Sequence, residues 1–331
     1  MVLKKYLVTG GAGFIGSHIT GRLLSAGHEV ICLDSFDTYY DPELKEQNIR
    51  PFLGMPGFSL IRGDILDERV LKKAFPGVDC IFHLAARPGI RGSIVNPITS
   101  HEVNATGTLM VLREACRAGV KKVVFSSSSS IYGNAACLPT PEGSPYRPIS
   151  PYGVSKLCAE DYCDVYRRIY GLETVILRYF TVYGPRMRPD LAISIFVRSA
   201  LAGKNIDIFG DGEQSRDFTY IDDAVGVSLI AAERGSGIYN IGSGRPITIN
   251  DLTRAIIGYT GSKSHICYRK GISADAEHTL ADITRARTGL GYRPETVIAE
   301  GIKRYIDYVT GTYREPRPLS PIPISTNINR S

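Results

Sequence analysis

The sequence predicts an α/β protein in which a doubly wound parallel sheet is followed by a smaller C-terminal α/β lobe. Short apolar runs alternate with amphipathic stretches over residues 1–179, and a glycine-rich turn separates the first run from the first amphipathic stretch. Strands that alternate with helices form right-handed βαβ crossovers, so that they lie parallel in one sheet. A glycine-rich turn after the first strand makes this sheet a Rossmann-type one.

The individual elements follow from the same patterns. We expect strands at 6–9, 29–33, 58–61, 80–84, 122–126 and 174–179. We expect helices at 15–26, 67–75, 101–118 and 151–170, with Gly27 and Gly119 where glycine commonly ends a helix. Beyond residue 179 the alternation loosens, with turns at 210–212 and 242–244 and helical patterns at 193–202, 249–259 and 297–310.

These patterns divide the chain into three parts. Residues 1–179 are expected to form a dinucleotide-binding domain to which later segments return, and residues 180–312 a substrate-binding lobe. The tail at 313–331 is rich in Pro and Ser and is expected to be extended or disordered.

Composition limits the classes of protein and of partner. With 43% hydrophobic and 22% charged residues, the chain of 331 residues is an ordinary globular one. A net charge of +6 without a dense Lys/Arg run fits an anionic substrate and does not predict nucleic-acid binding. Seven scattered cysteines without CxxC spacing predict reduced thiols, no metal site and a cytoplasmic location. We expect neither a signal peptide nor a membrane span.

The glycine-rich turn predicts a dinucleotide site. Gly10, Gly13 and Gly16 let the chain turn tightly, admit a pyrophosphate close to the backbone and pack helix against strand. Phe14 and Ile15 open the helix, whose free N–H groups and positive dipole end attract phosphates.

An acid follows at the spacing that such a site requires. Asp34 closes the second strand 24 residues after Gly10, where a carboxylate accepts both ribose hydroxyls and repels a 2′-phosphate. Since no Lys or Arg follows it before Lys45, the expected cofactor is NAD and not NADP.

Further cofactor contacts are expected where the third and fourth strands end. Asp64 is placed to bind the adenine amino group, with Ile65 beside it, and Ala85 and Ala86 are small enough to let the cofactor lie against the backbone. Ordinary turn or core positions would explain these residues equally well.

Two further segments predict the chemistry. In Tyr152-Gly153-Val154-Ser155-Lys156, positions i and i+4 share a helix face, so an ammonium lies near a phenol. That ammonium and a positive nicotinamide ring would favour the phenolate and make Tyr152 a base.

Five serines at 126–130 follow the fifth strand, at the edge of the sheet where such folds bind ligands. A flexible linker is the alternative, although apolar runs flank the serines on both sides.

The chain resembles the extended short-chain dehydrogenase/reductase family, in its nucleotide-sugar epimerase/dehydratase branch, over residues 5–309. The resemblance is carried by Thr9-Gly-Gly-Ala-Gly-Phe-Ile-Gly16, His83-Leu-Ala-Ala86, Val103-Asn-Ala-Thr-Gly107, the serine run with Tyr132-Gly133, Tyr152-x-x-x-Lys156, Arg178-Tyr-Phe-Thr-Val-Tyr-Gly-Pro185, Arg216-Asp-Phe-Thr-Tyr-Ile-Asp-Asp223, Tyr239-Asn-Ile-Gly242 and Leu290-Gly-Tyr292.

The resemblance implies roles for particular residues. Ser128 would hydrogen-bond the reacting sugar oxygen, Tyr152 would be the base, and Lys156 would hold the nicotinamide ribose. Asn104 would support the cofactor side of the active-site wall. Arg216 would clamp the UDP diphosphate, unless it is only a surface ion-pair partner of Asp217 or Asp222. A homodimer formed through the helices at 101–118 and 151–170 is implied as well.

The same resemblance narrows the reaction. Dehydratases and decarboxylases of this branch carry acids after the conserved hydroxyl, whereas Ser129-Ser130-Ile131 supplies none. Hydride removal and return remain, which is 4-epimerisation through a 4-keto sugar.

The stretch from Thr181 to Asp190 resembles that of UDP-glucuronate 4-epimerases. Thr181 stands where Asn is commoner in the family, and with Ser129 and Ser130 it offers donors for a C6 carboxylate. Arg188 is expected to anchor the nucleotide or help with this charge. A neutral packing exchange at Thr181 is the alternative explanation.

Three departures from the family pattern leave the sugar open. Arg87 stands where the family usually has Gln and could contact a carboxylate, Gly92 replaces a bulky residue, and residues 271–275 lack the usual polar residue and Pro-Gly-Asp. The alternatives are a UDP-glucose 4-epimerase and, in another class, an inactive NAD-sensing scaffold.

Overall fold

Residues 3–271 and 275–313 are described by the computed structural model of the chain. Within them, the strands in chain order are β1 Lys5–Thr9, β2 Glu29–Asp34, β3 Phe58–Arg62, β4 Cys80–His83, β5 Lys122–Ser128, β6 Glu173–Tyr179, β7 Val182–Tyr183, β8 Ile206–Phe209, β9 Ser215–Asp217, β10 Thr219–Tyr220, β11 Gly237–Ile241, β12 Pro246–Thr248 and β13 Ile266–Arg269.

Seven of these strands form one parallel sheet in the order β11-β6-β5-β4-β1-β2-β3. The chain starts at the centre, runs outward to β3, and then returns across β1 to build the other half. This order confirms the predicted doubly wound Rossmann-type sheet. Between β1 and β4 the direction of winding reverses, and ligands of such sheets bind at the carboxyl ends of the strands near that point.

The helices within the described residues have the following bounds. They are α1 Phe14–Ser25, α2 Pro42–Ile49, α3 Glu68–Ala74, α4 Ile90–Val95, α5 Pro97–His101, α6 Gly107–Arg117, α7 Pro151–Tyr170, α8 Ala192–Leu201, α9 Ile221–Arg234, α10 Ile249–Thr260, α11 Thr284–Leu290 and α12 Ile298–Thr310. The bounds of α7 are those predicted. Those of α10 and α12 differ from the prediction by one residue at one end, and those of α1, α3 and α8 by one residue at each end.

The single helix predicted at 101–118 was wrong. The structure has α5, a π-helical turn at Glu102–Thr106 and then α6. Within this turn the side chain of Asn104 is hydrogen-bonded to four polar atoms, Arg87 N, Arg87 O, Ser100 Oγ and Ser155 Oγ. Four further helices, α2, α4, α9 and α11, were not predicted, and α2 offers no apolar stripe that would have indicated it.

Both faces of the sheet are covered by helices. Leu7, Phe125 and Ile176 lie in a core with residues of α6 and α7, whereas Val8 and Val124 lie in a core with residues of α1 and α9. Successive side chains of a strand point to opposite faces, so the continuous apolar runs of the sequence serve both cores. The predicted layering follows directly from this alternation.

The smaller lobe contains three two-stranded pairings, β8 with β13, β9 with β12 and β7 with β10. From within residues 180–312, β11 joins the main sheet beside β6.

The predicted tail lies outside the described residues from position 314 onward. The seven cysteines are unpaired thiols. Among the described helices, none is long and apolar enough to cross a bilayer.

Candidate active site

The glycine-rich turn lies at the carboxyl end of β1 with its backbone pressed against the strand beside it. Gly10 has a φ of +69°, and a Cβ there would lie 2.7 Å from the backbone nitrogen of Ala85. A Cβ on Gly16 would lie 2.2 Å from the carbonyl oxygen of Gly10. Helix α1 begins at Phe14 after Gly13, which provides no side-chain cap. The amides of its first turn therefore suit a pyrophosphate, and the residues present fit a dinucleotide.

Asp34 ends β2 and is only 6% exposed. Its carboxylate accepts hydrogen bonds from the backbone N–H groups of Ala12 at 3.1 Å and Phe36 at 2.9 Å. The prediction that no basic residue lies beside it was wrong, because the ammonium of Lys45 is 3.5 Å from Asp34 Oδ1. Helix α2 turns back over the end of β2, so that a separation of eleven residues in sequence becomes an ion pair.

One cavity of about 900 Å³ runs along this edge of the sheet. It is lined by the predicted cofactor residues Gly10, Gly13, Phe14, Ile15, Gly16, Asp34, Asp64, Ile65, Ala85 and Ala86. The same cavity is lined by the predicted catalytic and substrate residues Arg87, Ser128, Ser129, Ser130, Tyr152, Lys156, Thr181, Arg188 and Arg216. The structure therefore brings together side chains that are far apart in sequence.

Asn104 is the exception among the predicted site residues, since it does not line this cavity. Its amide oxygen accepts a hydrogen bond from the Arg87 backbone N–H at 2.7 Å, and its NH₂ group donates to Arg87 O at 3.1 Å and Ser155 Oγ at 2.9 Å. The hydroxyl of Ser155 in turn donates to Tyr152 O at 2.8 Å. Asn104 thus holds the segment after β4 against the first turn of α7.

Ser128, Tyr152 and Lys156 form what we call the catalytic wall. Ser128 ends β5, and Tyr152 lies in the first turn of α7. Ser150 caps the N-terminus of α7, since its hydroxyl accepts a hydrogen bond from Gly153 N at 3.1 Å. Lys156 is 2% exposed and donates to Ser126 O at 2.7 Å. Burial lowers the pKa of Lys156 to about 8.

Burial and two neighbouring side chains act on the pKa of the Tyr152 phenol. Burial raises the pKa of its phenol, while a hydrogen bond with Ser128 and the positive charge of Arg188 lower it. Arg188 therefore acts on the phenol from a distant part of the chain. A positive group that approaches the phenol from the cavity would act in the same direction as Arg188.

The serine run does not act as one unit. Ser127 points away from Ser128, as strand alternation requires, and its hydroxyl donates to Glu160 of α7. Glu160 also accepts hydrogen bonds from Arg178, with the shortest contact at 2.6 Å, and both side chains are buried. Arg178 further donates to the Tyr132 hydroxyl at 2.7 Å. Sequence reasoning missed this support because the two charges belong to different elements and lie 18 residues apart.

Two arginines of the cavity are already paired with carboxylates. Arg87 donates to Asp37, and Arg188 forms a bidentate pair with Asp190 at 2.9 and 3.0 Å. Tyr39 lies between them, with the Arg87 guanidinium 5.1 Å and the Arg188 guanidinium 5.8 Å from the ring centre. We call Asp37, Tyr39, Arg87, Arg188 and Asp190 the mouth cluster.

The mouth cluster explains why Gly92 departs from the bulky residue expected there. A Cβ on Gly92 would lie 2.9 Å from Cε2 of Tyr39, and one on Gly89 would lie 2.3 Å from its hydroxyl oxygen. Both glycines therefore make room for the Tyr39 ring. Of the atypical segment 271–275, only the two end residues are described, because positions 272–274 lie outside the described residues.

Arg216 and Thr181 complete the predicted substrate residues. Arg216 Nη1 donates to the backbone oxygens of Ser215 at 2.9 Å and Glu277 at 3.1 Å. Asp217 is instead held by backbone N–H groups of three other residues, so the ion-pair alternative for Arg216 with Asp217 is not what the structure has. Thr181 lines the cavity, and within the described part of the chain its hydroxyl has no hydrogen-bond partner.

A dinucleotide cradle that leads into a wall of Ser, Tyr and Lys defines a nicotinamide-dependent enzyme of the short-chain dehydrogenase/reductase type. Residues 6–242 match the model of the NAD dependent epimerase/dehydratase family, and the chain belongs to that family. Its cofactor is NAD.

Relatives with two different substrates in their names match the chain. A UDP-glucuronate 4-epimerase of Thermodesulfobacterium geofontis is 39% identical over 92% of this chain and 95% of its own length. A putative UDP-glucose 4-epimerase of Methanocaldococcus jannaschii is 37% identical over 93% and 99%. The crystal structure of a Bacillus cereus UDP-glucuronic acid 4-epimerase, in complex with UDP-glucuronic acid and NAD, is similar with a TM-score of 0.88. It is 36% identical and covers 93% of this chain and 100% of that one.

Proposed function

We propose that this chain interconverts UDP-glucuronate and UDP-galacturonate by inverting carbon 4 of the sugar. The broader statement rests on the family: the chain is an NAD-dependent isomerase of the UDP-sugar 4-epimerase kind. The choice of sugar rests on Thr181, which lines the cavity with Ser129 and Ser130 and whose hydroxyl has no hydrogen-bond partner among the described residues. Hydroxyl groups in that arrangement suit a carboxylate at C6.

In the proposed mechanism, Tyr152 is the base and Ser128 its hydrogen-bond partner. Tyr152 Oη takes the proton of the C4 hydroxyl and returns it after the sugar has turned about its phosphate linkage. With NAD bound, the cofactor supplies reversible acceptance of the C4 hydride. Ser128 holds the reacting oxygen beside Tyr152, so both proton transfers use the same oxygen.

The charged residues have positioning roles in this mechanism. Lys156, anchored on Ser126 O, would hold the nicotinamide ribose. Arg216 would bind the diphosphate, which stays in place while the sugar turns. Turning is required because the hydride must leave one face of the sugar and return to the other.

The acids of the cavity do not favour elimination or loss of CO₂ over epimerisation. Positions 129–131 carry Ser, Ser and Ile, and the nearby carboxylates of Asp37 and Asp190 are paired with Arg87 and Arg188. Positions 129–131 therefore carry no carboxylic acid, whereas the resemblance implies one there in dehydratases and decarboxylases.

The alternative is a UDP-glucose 4-epimerase, which the relative of M. jannaschii supports by name. Incubation of the NAD-loaded protein with UDP-glucuronate and with UDP-glucose, followed by identification of the products, separates the two. We expect UDP-galacturonate as the main product. Turnover of UDP-glucose alone would assign the alternative, and turnover of neither at micromolar enzyme would favour the scaffold.

The proposed assembly is a homodimer through α6 and α7, which pack against each other in the chain. Val154 on α7 is 49% exposed and leaves an apolar side chain for a partner helix. Light scattering of the purified protein measures this, and a monomer at micromolar concentration would contradict the proposal.

A further inference from the structure

Residues 35–41 connect the end of β2 to the start of α2, and we call them the strap. The cavity is lined by Asp37 and Tyr39 of the strap. It is also lined by Gly10 and Gly13 of the glycine-rich turn. The groove that suits the dinucleotide therefore has the glycine-rich turn as one wall and the strap as another.

The strap extends along the edge of the sheet past the end of β1. In the sheet, β1 lies between β2 and β4. The strap leaves β2, and its Asp37 accepts a hydrogen bond from the guanidinium of Arg87, which belongs to the segment that follows β4. A dinucleotide bound to such a sheet has its pyrophosphate at the end of β1 and its two nucleosides on either side. The strap therefore runs in the direction of the cofactor, over the turn that suits the pyrophosphate.

Two contacts hold the strap to the far side of the groove. Asp37 binds Arg87, whose backbone N–H and C=O are both hydrogen-bonded to the side chain of Asn104. The hydroxyl of Tyr39 donates to Asp190 Oδ2 at 3.2 Å. We call these two contacts the latch.

The two ends of the strap are held by the elements that they join. Phe36 N donates to Asp34 Oδ1 at 2.9 Å, and Asp41 caps the N-terminus of α2. The side chain of Asp37, in contrast, is 43% exposed, so water can replace its bond to Arg87. The latch can therefore open while the ends of the strap stay in place.

We propose that the strap closes over bound NAD and that the latch sets the rate at which NAD leaves the protein. Because 4-epimerisation consumes no net oxidant, one cofactor molecule serves many turnovers, and slow exchange keeps the enzyme loaded. The proposal concerns the residues that close the cofactor groove, so it does not depend on which sugar is the substrate.

The test is a chase experiment on the NAD-loaded protein. Radiolabelled NAD is bound, excess unlabelled NAD is added, and the label retained after rapid filtration gives the dissociation rate. Asp37→Asn removes the charge from the latch and should raise this rate about fivefold, the size expected for one exposed ion pair. Glu43→Gln is the matched control, because Glu43 forms an exposed pair with Arg50 and neither residue lines the cavity. Its dissociation rate should equal that of the native protein.

A double-mutant cycle with Arg87→Gln distinguishes a latch from direct contacts with NAD. If Asp37 and Arg87 act through each other, both single variants and the double variant should release NAD at about the same rate. Ionic strength gives a second measurement that needs no loss of folding to be excluded. Because salt screens a charge pair, added salt should accelerate release from the native protein more than from Asp37→Asn.

Three results would overturn the proposal. An unchanged dissociation rate in Asp37→Asn would show that the contact with Arg87 does not retain NAD. Effects of the two substitutions that multiply in the double variant would show that each side chain contacts NAD separately. Equal salt dependence of the native protein and Asp37→Asn would show that no charge pair controls release.

Discussion

The catalytic wall and the mouth cluster line the same cavity but are held in different ways. Behind the wall, Glu160 and Arg178 are buried and share hydrogen bonds with Ser127 and Tyr132. In the mouth cluster, Asp37 is 43% and Asp190 37% exposed. Buried pairs are costly to break, whereas exposed pairs exchange partners readily. Changes at the wall should therefore affect chemistry and folding, and changes at the mouth should affect the choice of substrate.

The largest effect should come from Tyr152→Phe. If Tyr152 is the base, removing its hydroxyl should lower kcat by about 10³-fold or more, while UDP-sugar binding stays within about tenfold of native. Single-turnover kinetics and calorimetry measure the two quantities. Residual kcat within tenfold of native would mean that another group is the base.

Glu160→Gln should destabilise the fold behind the wall. It leaves the buried Arg178 guanidinium without its counter-charge, so the free energy of unfolding should fall by about 3–5 kcal/mol. Urea denaturation measures this, with Glu43→Gln as the control, since Glu43 forms an exposed pair with Arg50. Equal losses for the two variants would remove the distinction between buried and exposed pairs.

Thr181→Ala should separate the two sugars. If Thr181 hydrogen-bonds the carboxylate, removal of its hydroxyl should lower the transition-state stabilisation, as given by kcat/KM, by about 1.5–3 kcal/mol with UDP-glucuronate and by much less with UDP-glucose. The 4-keto intermediate of UDP-glucuronate is a β-keto acid, so a carboxylate that is no longer held should also yield some pentose product. Thr181→Ser keeps the hydroxyl and should restore turnover. Similar losses on both sugars would show that Thr181 does not read the carboxylate.

Arg188→Met tests whether the mouth acts on the wall through charge. The Arg188 cation lowers the pKa of Tyr152 by favouring the phenolate. Without it the pKa rises, so the increase of kcat with pH should move to higher pH and kcat at neutral pH should fall. The pH profile of kcat at saturating substrate measures the shift. A profile that moves to lower pH or stays in place would contradict the assignment.

The smallest effect is expected from Arg87→Gln, the residue usual in the family. Arg87 must leave Asp37 to bind a carboxylate, so its net contribution to the free energy of binding UDP-glucuronate should be about 1 kcal/mol. Loss of this contribution should raise KM for UDP-glucuronate about fivefold. The same KM measured with UDP-glucose is the control. Equal increases would mean that Arg87 does not respond to the charge of the sugar.

The dinucleotide half and the catalytic motif could be predicted from the sequence because their physics is local. A glycine turn between strand and helix, an acid that closes the next strand and a Tyr–Lys spacing of one helical turn are each set by a few neighbouring residues. Strand alternation and a cap at Ser150 then place Ser128 and Tyr152 at the same edge of the sheet.

Tertiary structure alone decided which charges meet. The pairing of Lys45 with Asp34 depends on how α2 turns back over the sheet, and the contact of Arg188 with Tyr39 joins residues from different parts of the chain. The π-helical turn at Asn104 likewise depends on hydrogen-bond partners that come from α7 and the end of β4. Short-range propensity carries no information about such partners, because charged and amide groups bind whatever polar group the packing of apolar faces brings within reach.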